Sequence, residues 1–232
     1  MKGYISKIET LGTNDGPGIR VVIFMSGCPL RCLYCHNPEM FAMNAGKEYS
    51  SSELVEYILR YRSYFGKDGG VTFSGGEPLM QYDFLLEVCT LLKKEKIHIC
   101  LDTCGIGLKN DNILKLFDIV LIDIKYINSE GYKKITNFDY FKESISFMDK
   151  CLQYNKKIWF RQVIIPGINA NIEYIKELKK FVSKYNSEKI ELLPFHTMGF
   201  KKYEELNIEN KLKNYKDLDL KQLNILNNEL NE

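Results

Sequence analysis

No apolar run in this chain is long enough to cross a bilayer: stretches such as Ile119 to Ile124 fall far short of the roughly 18 residues a spanning helix needs. Nor does Met1-Lys2-Gly3-Tyr4-Ile5 lead into the continuous apolar core of a secretion signal, so a cytoplasmic location is expected. Blocks of like charge are missing too. The 32 basic and 30 acidic side chains are interspersed and the net charge is +2, which offers no footprint for nucleic acid or for a membrane surface. No linker interrupts the 232 residues, and single α/β barrels reach this length, so one domain over 1–232 is expected. Its core is placed at 15–200, with a helical extension over 201–232. The last shortage is a ligand. Of seven cysteines, Cys28, Cys32 and Cys35 stand within eight residues, and no fourth lies beside them. In a reducing compartment such a cluster more often holds metal than forms disulfides.

What is present alternates. Tyr4 to Ile8 reads as a short strand, and the three glycines and proline of Gly12 to Gly18 make a loop. Ile19 to Ser26 is a continuous β-branched and aromatic run of the kind that suits a parallel strand covered on both faces. After the cysteines, Ser50-Ser51-Ser52-Glu53 offers caps for a helix to Tyr64. Strands are then predicted at Gly70–Ser74, Ile97–Asp102, Ile119–Lys125, Ile158–Ile165 and Ile190–Phe195. Between them come helices at Phe84–Leu92, Ile113–Phe117, Phe141–Tyr154 and Ile172–Tyr185, while Lys201–Glu232 ends in a helix that looks exposed. Strands alternating with helices specify a parallel sheet with right-handed crossovers. Six strands from Ile19 onward are too few for a closed eight-stranded barrel. The expected class is therefore α/β, a partial (β/α)6 TIM-like barrel, with a flat doubly wound sheet as the alternative. Glu77, Asp102, Asp123, Lys125 and His196 each fall at or just past the C-terminal end of a predicted strand, where parallel barrels place their active sites.

Three thiolates leave a tetrahedral metal, or a four-iron cluster, one ligand short. A cluster held this way exposes one iron to a small molecule. Two other readings stay open: a Cys3His zinc site completed by His36, and an electron carrier completed by Cys89, Cys100, Cys104 or Cys151.

Cys28-x3-Cys32-x-Tyr34-Cys35 resembles the motif of radical S-adenosylmethionine enzymes. The resemblance implies a [4Fe-4S] cluster on Cys28, Cys32 and Cys35, with S-adenosylmethionine chelating the open iron. Reductive cleavage of that cofactor gives a 5'-deoxyadenosyl radical, so the chain is expected to be an oxidoreductase. The wider string Asp15-Gly16-Pro17-Gly18-Ile19-Arg20, with Phe24, Gly27 and Cys35-His36-Asn37, is similar to the narrower set of glycyl-radical-enzyme activases, and the likeness extends from Asp15 to His196. It implies cofactor contacts from Tyr34, Gly75, Gly76, Glu77, Asp102, Lys125, Arg161 and His196. It also implies a monovalent cation, Na+ or K+, at Asp102, Thr103 and Asp123, and a role for Asp15 in holding the partner's glycine loop. Cys104 stands where the family commonly has Asn or Ser.

The implied reaction takes a hydrogen atom from one backbone glycine of a partner enzyme, with flavodoxin or ferredoxin as electron donor and a monomeric activase. Between Cys35 and Val71 there is no second cysteine-rich, ferredoxin-like insertion of the kind many other activases carry, which favours pyruvate formate-lyase as partner. A radical enzyme acting on a small molecule is the second reading.

Overall fold

In the computed structural model, which describes residues 1–232, the run Arg20–Met25 forms strand β2 once β1 (Lys2–Gly12) has crossed the edge of the sheet. All of β2 except Phe24 is buried, as a strand covered on both faces requires. β2 runs parallel to β4 (Gly70–Gly75), and the ladder continues in parallel through β5 (His98–Thr103), β6 (Ile119–Ile124), β7 (Lys157–Ile164) and β8 (Ser187–Pro194). These six strands follow one another in space in chain order. A doubly wound sheet reverses its order at a switch point, so the unreversed order excludes that alternative and fits the partial barrel. β8 has no neighbour on its far side, which leaves the barrel open.

Two strands lie outside the expected pattern. β1 extends the Tyr4–Ile8 prediction at both ends and pairs antiparallel with β2, and β3 (Lys47–Ser50) pairs antiparallel with β1. Nothing in Lys47-Glu48-Tyr49-Ser50 alternates with the period of a half-buried strand. Its pairing is imposed by the neighbouring edge rather than by propensity.

Most helices form where apolar periodicity puts them. α1 (Ser51–Leu59) starts with a full capping box in which Ser50 and Glu53 satisfy each other's backbone N–H groups. It stops at Leu59, and a 3-10 turn over Arg62–Tyr64 replaces the expected continuation. α2 (Tyr82–Lys94) buries Phe84, Leu85, Val88 and Leu92. The helix predicted at Ile113–Phe117 is instead a 3-10 helix over Asp111–Leu116, opened by Asn110 and closed by extended Phe117. α3 (Ser129–Thr136) is not foreshadowed by its polar sequence; Asn128 caps it. α4 (Phe141–Gln153) and α5 (Ile172–Val182) agree with expectation. Beyond α6 (Phe200–Glu205), α7 (Leu220–Asn231) is less exposed than its sequence suggests, because Leu226 and Leu230 join the main core. No helix is long and apolar enough to cross a membrane.

One polar group ties two of these layers together. Asp118 accepts from Ile99 N–H at 2.7 Å and from Lys93 Nζ, and its own N–H donates to Ile99 at 2.9 Å. Burial pushes this carboxyl up, but the Lys93 ammonium and the Ile99 amide outweigh it and hold it below the usual carboxylate range. A depressed carboxyl adds stability above its unfolded pKa of about 3.9 and loses it as pH falls toward the folded value. Asp118→Ala is therefore expected to cost about 1–2 kcal/mol at neutral pH, after allowance for partial exposure. In urea unfolding the gap from the parent chain begins to narrow as pH falls below about 4 and closes only below the depressed folded pKa, where Asp118 is protonated in both states.

Candidate active site

The C-terminal rim of the barrel encloses a cavity of about 320 Å³. Cys28, Cys32, Tyr34 and Cys35 line one side of it. The loop carrying them is held by backbone bonds: Gly27 N–H to Met40 at 2.9 Å, Arg31 N–H to Thr136 at 3.0 Å and Leu33 N–H to Ile135 at 2.9 Å. The carbonyls left open at the end of α3 are thus the acceptors that fix the loop, which is the work of this unforeseen helix. Burial pushes the Cys28 and Cys32 thiols up to about 12 and that of Cys35 to about 11. Metal loading must displace those protons. No three of the His, Cys, Asp and Glu side chains meet where one metal ion could sit. A four-iron cluster makes no such demand, since each thiolate takes a different iron, so the spread of the three sulfurs around one cavity fits it. His36, the fourth ligand in a zinc reading, instead points Nε2 at the His196 carbonyl, 3.1 Å away.

The glycine pair closes the adjoining side of the cavity. Gly76 N–H donates to Met25 and Glu77 N–H to Gly27, both at 2.8 Å. A Cβ on Gly76 would stand 2.3 Å from the Gly27 carbonyl oxygen, and one on Gly75 2.4 Å from the Met25 nitrogen. Gly75 also has φ +115, a region that favours glycine. Two glycines are needed here because the end of β4 lies backbone to backbone against the end of β2, and the residue after it against Gly27, just before Cys28.

Glu77 does not reach the cavity. It is fully buried behind the wall and accepts from Thr103 Oγ1 at 2.6 Å, Cys104 N–H at 2.8 Å, Cys104 Sγ at 2.9 Å and Leu79 N–H at 3.1 Å. Burial still raises its pKa against those four donors. Thr103 and Cys104 themselves line the site.

The same cavity is lined by a knot of charge, Asp15, Asp102, Asp123, Lys125 and Arg161. The parallel register sets Asp123 beside Arg161 on neighbouring strands. The Arg161 guanidinium reaches Asp102 at 2.5 Å, Asp15 at 3.2 Å and Asp123 at 3.4 Å, and Lys125 pairs with Asp123 at 3.1 Å. Converging carboxylates repel unless a cation separates them. Here the protein's own Arg161 does so. Burial pushes Asp102 up despite Arg161, whereas Lys125 and Arg161 overcome burial at Asp123 and pull it down. Ser74, which the sequence alone does not single out, donates to Asp102 at 2.6 Å; its only cue is its place at the end of β4, before the glycines.

His196 lies beside this cavity rather than in its lining. Its ring stacks on His36 at 3.8 Å and 17°, and its buried Nδ1 has no hydrogen-bond partner.

Residues 22–182 match the model of the Radical SAM superfamily. The chain belongs to this superfamily. Radical SAM membership implies a [4Fe-4S] cluster and S-adenosylmethionine, and the cavity just described has the donors for both. Among curated relatives, the pyruvate formate-lyase-activating enzyme of Clostridium pasteurianum is 44% identical over 225 residues, 94% of this chain and 92% of that one. The enzyme of the same name from Staphylococcus epidermidis is 38% identical over 231 residues, 94% of this chain and 91% of the relative. Solved structures agree on the radical SAM fold. A radical SAM methyltransferase from Sphaerobacter thermophilus superposes with a TM-score of 0.66 at 16% identity, over 91% of this chain and 63% of that one. A domain of a pyruvate-formate lyase-activating enzyme from Bacteroides vulgatus gives 0.55 at 21% identity, over 70% and 93%.

Proposed function

We propose that this chain activates a glycyl radical enzyme, pyruvate formate-lyase before any other. The observation that carries the reading is its 44% identity, along nearly the whole of both chains, to an activase of that name. When bound, the cluster and S-adenosylmethionine supply one-electron bond cleavage and the hydrogen-atom abstraction that leaves a radical on the partner's glycine.

The chain's own residues bind and aim. Cys28, Cys32 and Cys35 hold the cluster, and Tyr34 covers it on the cofactor side. Gly75 and Gly76 offer backbone atoms to the cofactor's amino group, while Glu77 fixes their loop from behind. Lys125 and Asp102 contact the rest of the cofactor, and Arg161, whose guanidinium already holds Asp15, Asp102 and Asp123, keeps them in place. Asp15, at the free side of the knot, meets the partner's glycine loop. Three carboxylates against Arg161 and Lys125 leave one negative charge in excess. That imbalance supports a Na+ or K+ ion at Asp102, Thr103 and Asp123. The chain acts as a single radical SAM domain over 1–232, monomeric and cytoplasmic, and takes its electron from flavodoxin or ferredoxin.

The test is anaerobic: reconstitute the cluster, reduce it, add S-adenosylmethionine, and measure 5'-deoxyadenosine and the glycyl radical signal with and without pyruvate formate-lyase. Both products with partner are expected. Absence of cofactor cleavage overturns the radical reading, and cleavage without a radical on any glycyl radical enzyme leaves a small-molecule substrate instead.

A further inference from the structure

The segment after β8 makes a set of contacts with the cysteine loop that no local motif announces. Tyr203, on α6, is buried, and its hydroxyl donates to the Cys35 carbonyl at 2.9 Å across 168 positions of chain. Beside it in sequence, Lys202 Nζ reaches Asn37 Oδ1 at 2.9 Å and Glu39 Oε1 at 2.6 Å. Gly199 lies so close to the same loop that a Cβ there would stand 2.9 Å from His36 Cα. Further on, Leu212 is buried in a small core with Tyr34, Ile135 and Phe195. The residue types differ and so do the interactions, yet all converge on residues 34–39.

We propose that residues 199–212 form a clasp on the cysteine loop, with Tyr203 the positioning residue for Cys35. The inference rests on the reading of Cys35 as a cluster ligand. Cys35 is the last of the three, and its N–H already donates to Cys32 at 3.1 Å, so the Tyr203 hydroxyl fixes the other end of the same residue. Groups that hold metal ligands in place govern metal retention and electronic tuning, and their loss typically costs about 10–100-fold in metal affinity. The hydroxyl does more than pack. Its O–H dipole presents its positive end toward the cysteine backbone, in a buried setting where such a dipole favours the more negative, reduced state of an adjacent cluster.

Tyr203→Phe removes one oxygen and keeps the ring. As a control, Tyr82→Phe deletes an equivalent bond, since Tyr82 donates to the Asn110 carbonyl at 2.8 Å, on a helix outside the cavity lining. Parent and variants are reconstituted anaerobically as full chains. Iron and sulfide content, iron release to a chelator, and the potential of the cluster followed by electron paramagnetic resonance are then measured. For Tyr203→Phe, iron release is expected about tenfold faster, with the potential moved to a more negative value. Tyr82→Phe changes neither. Equal release and equal potential in Tyr203→Phe and the parent overturn the proposal, as does the same change in both variants, which would mark a general loss of stability. If Tyr203→Phe fails to fold, Gly199→Ala, which pushes the clasp off His36, takes its place with the same two readouts: faster release and a lower potential support the clasp, and parent-like values overturn it. Failure of the parent chain to load iron sinks the cluster reading instead.

Discussion

Cys32→Ala is expected to abolish cofactor cleavage, with 5'-deoxyadenosine falling by more than about a hundredfold and iron content dropping to background. The loss of a direct ligand must exceed the 10–100-fold typical of the groups that merely hold ligands. Cys32 has no free substitute: Cys89 and Cys151 are buried on helices in the main core, Cys100 is buried in a separate apolar cluster, and the Cys104 thiol, though packed near Cys28 and Cys32, is engaged by Glu77. The fold itself should survive, because Cys32 lies at the margin of two small apolar clusters and the loop is carried by backbone bonds from Arg31 and Leu33 to α3. Circular dichroism and urea unfolding of the metal-free variant are therefore expected to match those of the parent chain. Retained cleavage in an iron-loaded variant would show that this thiolate is not a ligand. Cys32→Ser separates charge from mere occupancy, since a hydroxyl is a far poorer ligand for iron at neutral pH than a thiolate.

The contrast between β2 and β3 shows what can be read in advance. A strand buried on both faces has to be continuously apolar, so Val21, Val22 and Ile23 declare themselves in any context. Lys47–Ser50 has no such constraint and becomes a strand because β1 offers an open edge. The same division holds in the site. Gly75, Gly76, Asp102, Asp123 and Lys125 are legible because strand ends in a parallel barrel converge on one rim. Glu77 belongs to that rim by sequence too, but four donors draw it behind the wall. Arg161 reads in the sequence as a free partner for a carboxylate on the cofactor, yet the protein already gives it three of its own. Tyr203 cannot be found by pattern, since it acts through a backbone carbonyl far away in sequence, from within a tail rich in lysine and asparagine.

Asp15→Ala should separate two steps that Cys32→Ala removes together. The Asp15 loop is anchored through its backbone: Thr72 Oγ1 donates to the Asp15 carbonyl at 2.5 Å and Arg20 Nη1 to the Pro17 carbonyl at 2.8 Å. Arg20 is wholly buried and also reaches Thr72 Oγ1 at 2.6 Å, so the anchor persists without the Asp15 side chain. What disappears is the carboxylate bonded to Arg161 Nη1, the member of the knot belonging to neither β5 nor β6. If that carboxylate orients the partner's glycine loop, cluster content is preserved and the glycyl radical yield falls about 10–100-fold, the scale on which a misplacement of about 1 Å acts. Cofactor cleavage should fall less, because Arg161 keeps Asp102 and Asp123. The ratio of glycyl radical to 5'-deoxyadenosine is the quantity to follow. A fall in both by the same factor would place Asp15 in cofactor binding through Arg161, and an unchanged ratio at full yield would remove it from the reaction altogether. Arg161→Lys calibrates the comparison: an ammonium cannot fork onto Asp15 and Asp102 at once, so cleavage itself should drop while the ratio holds.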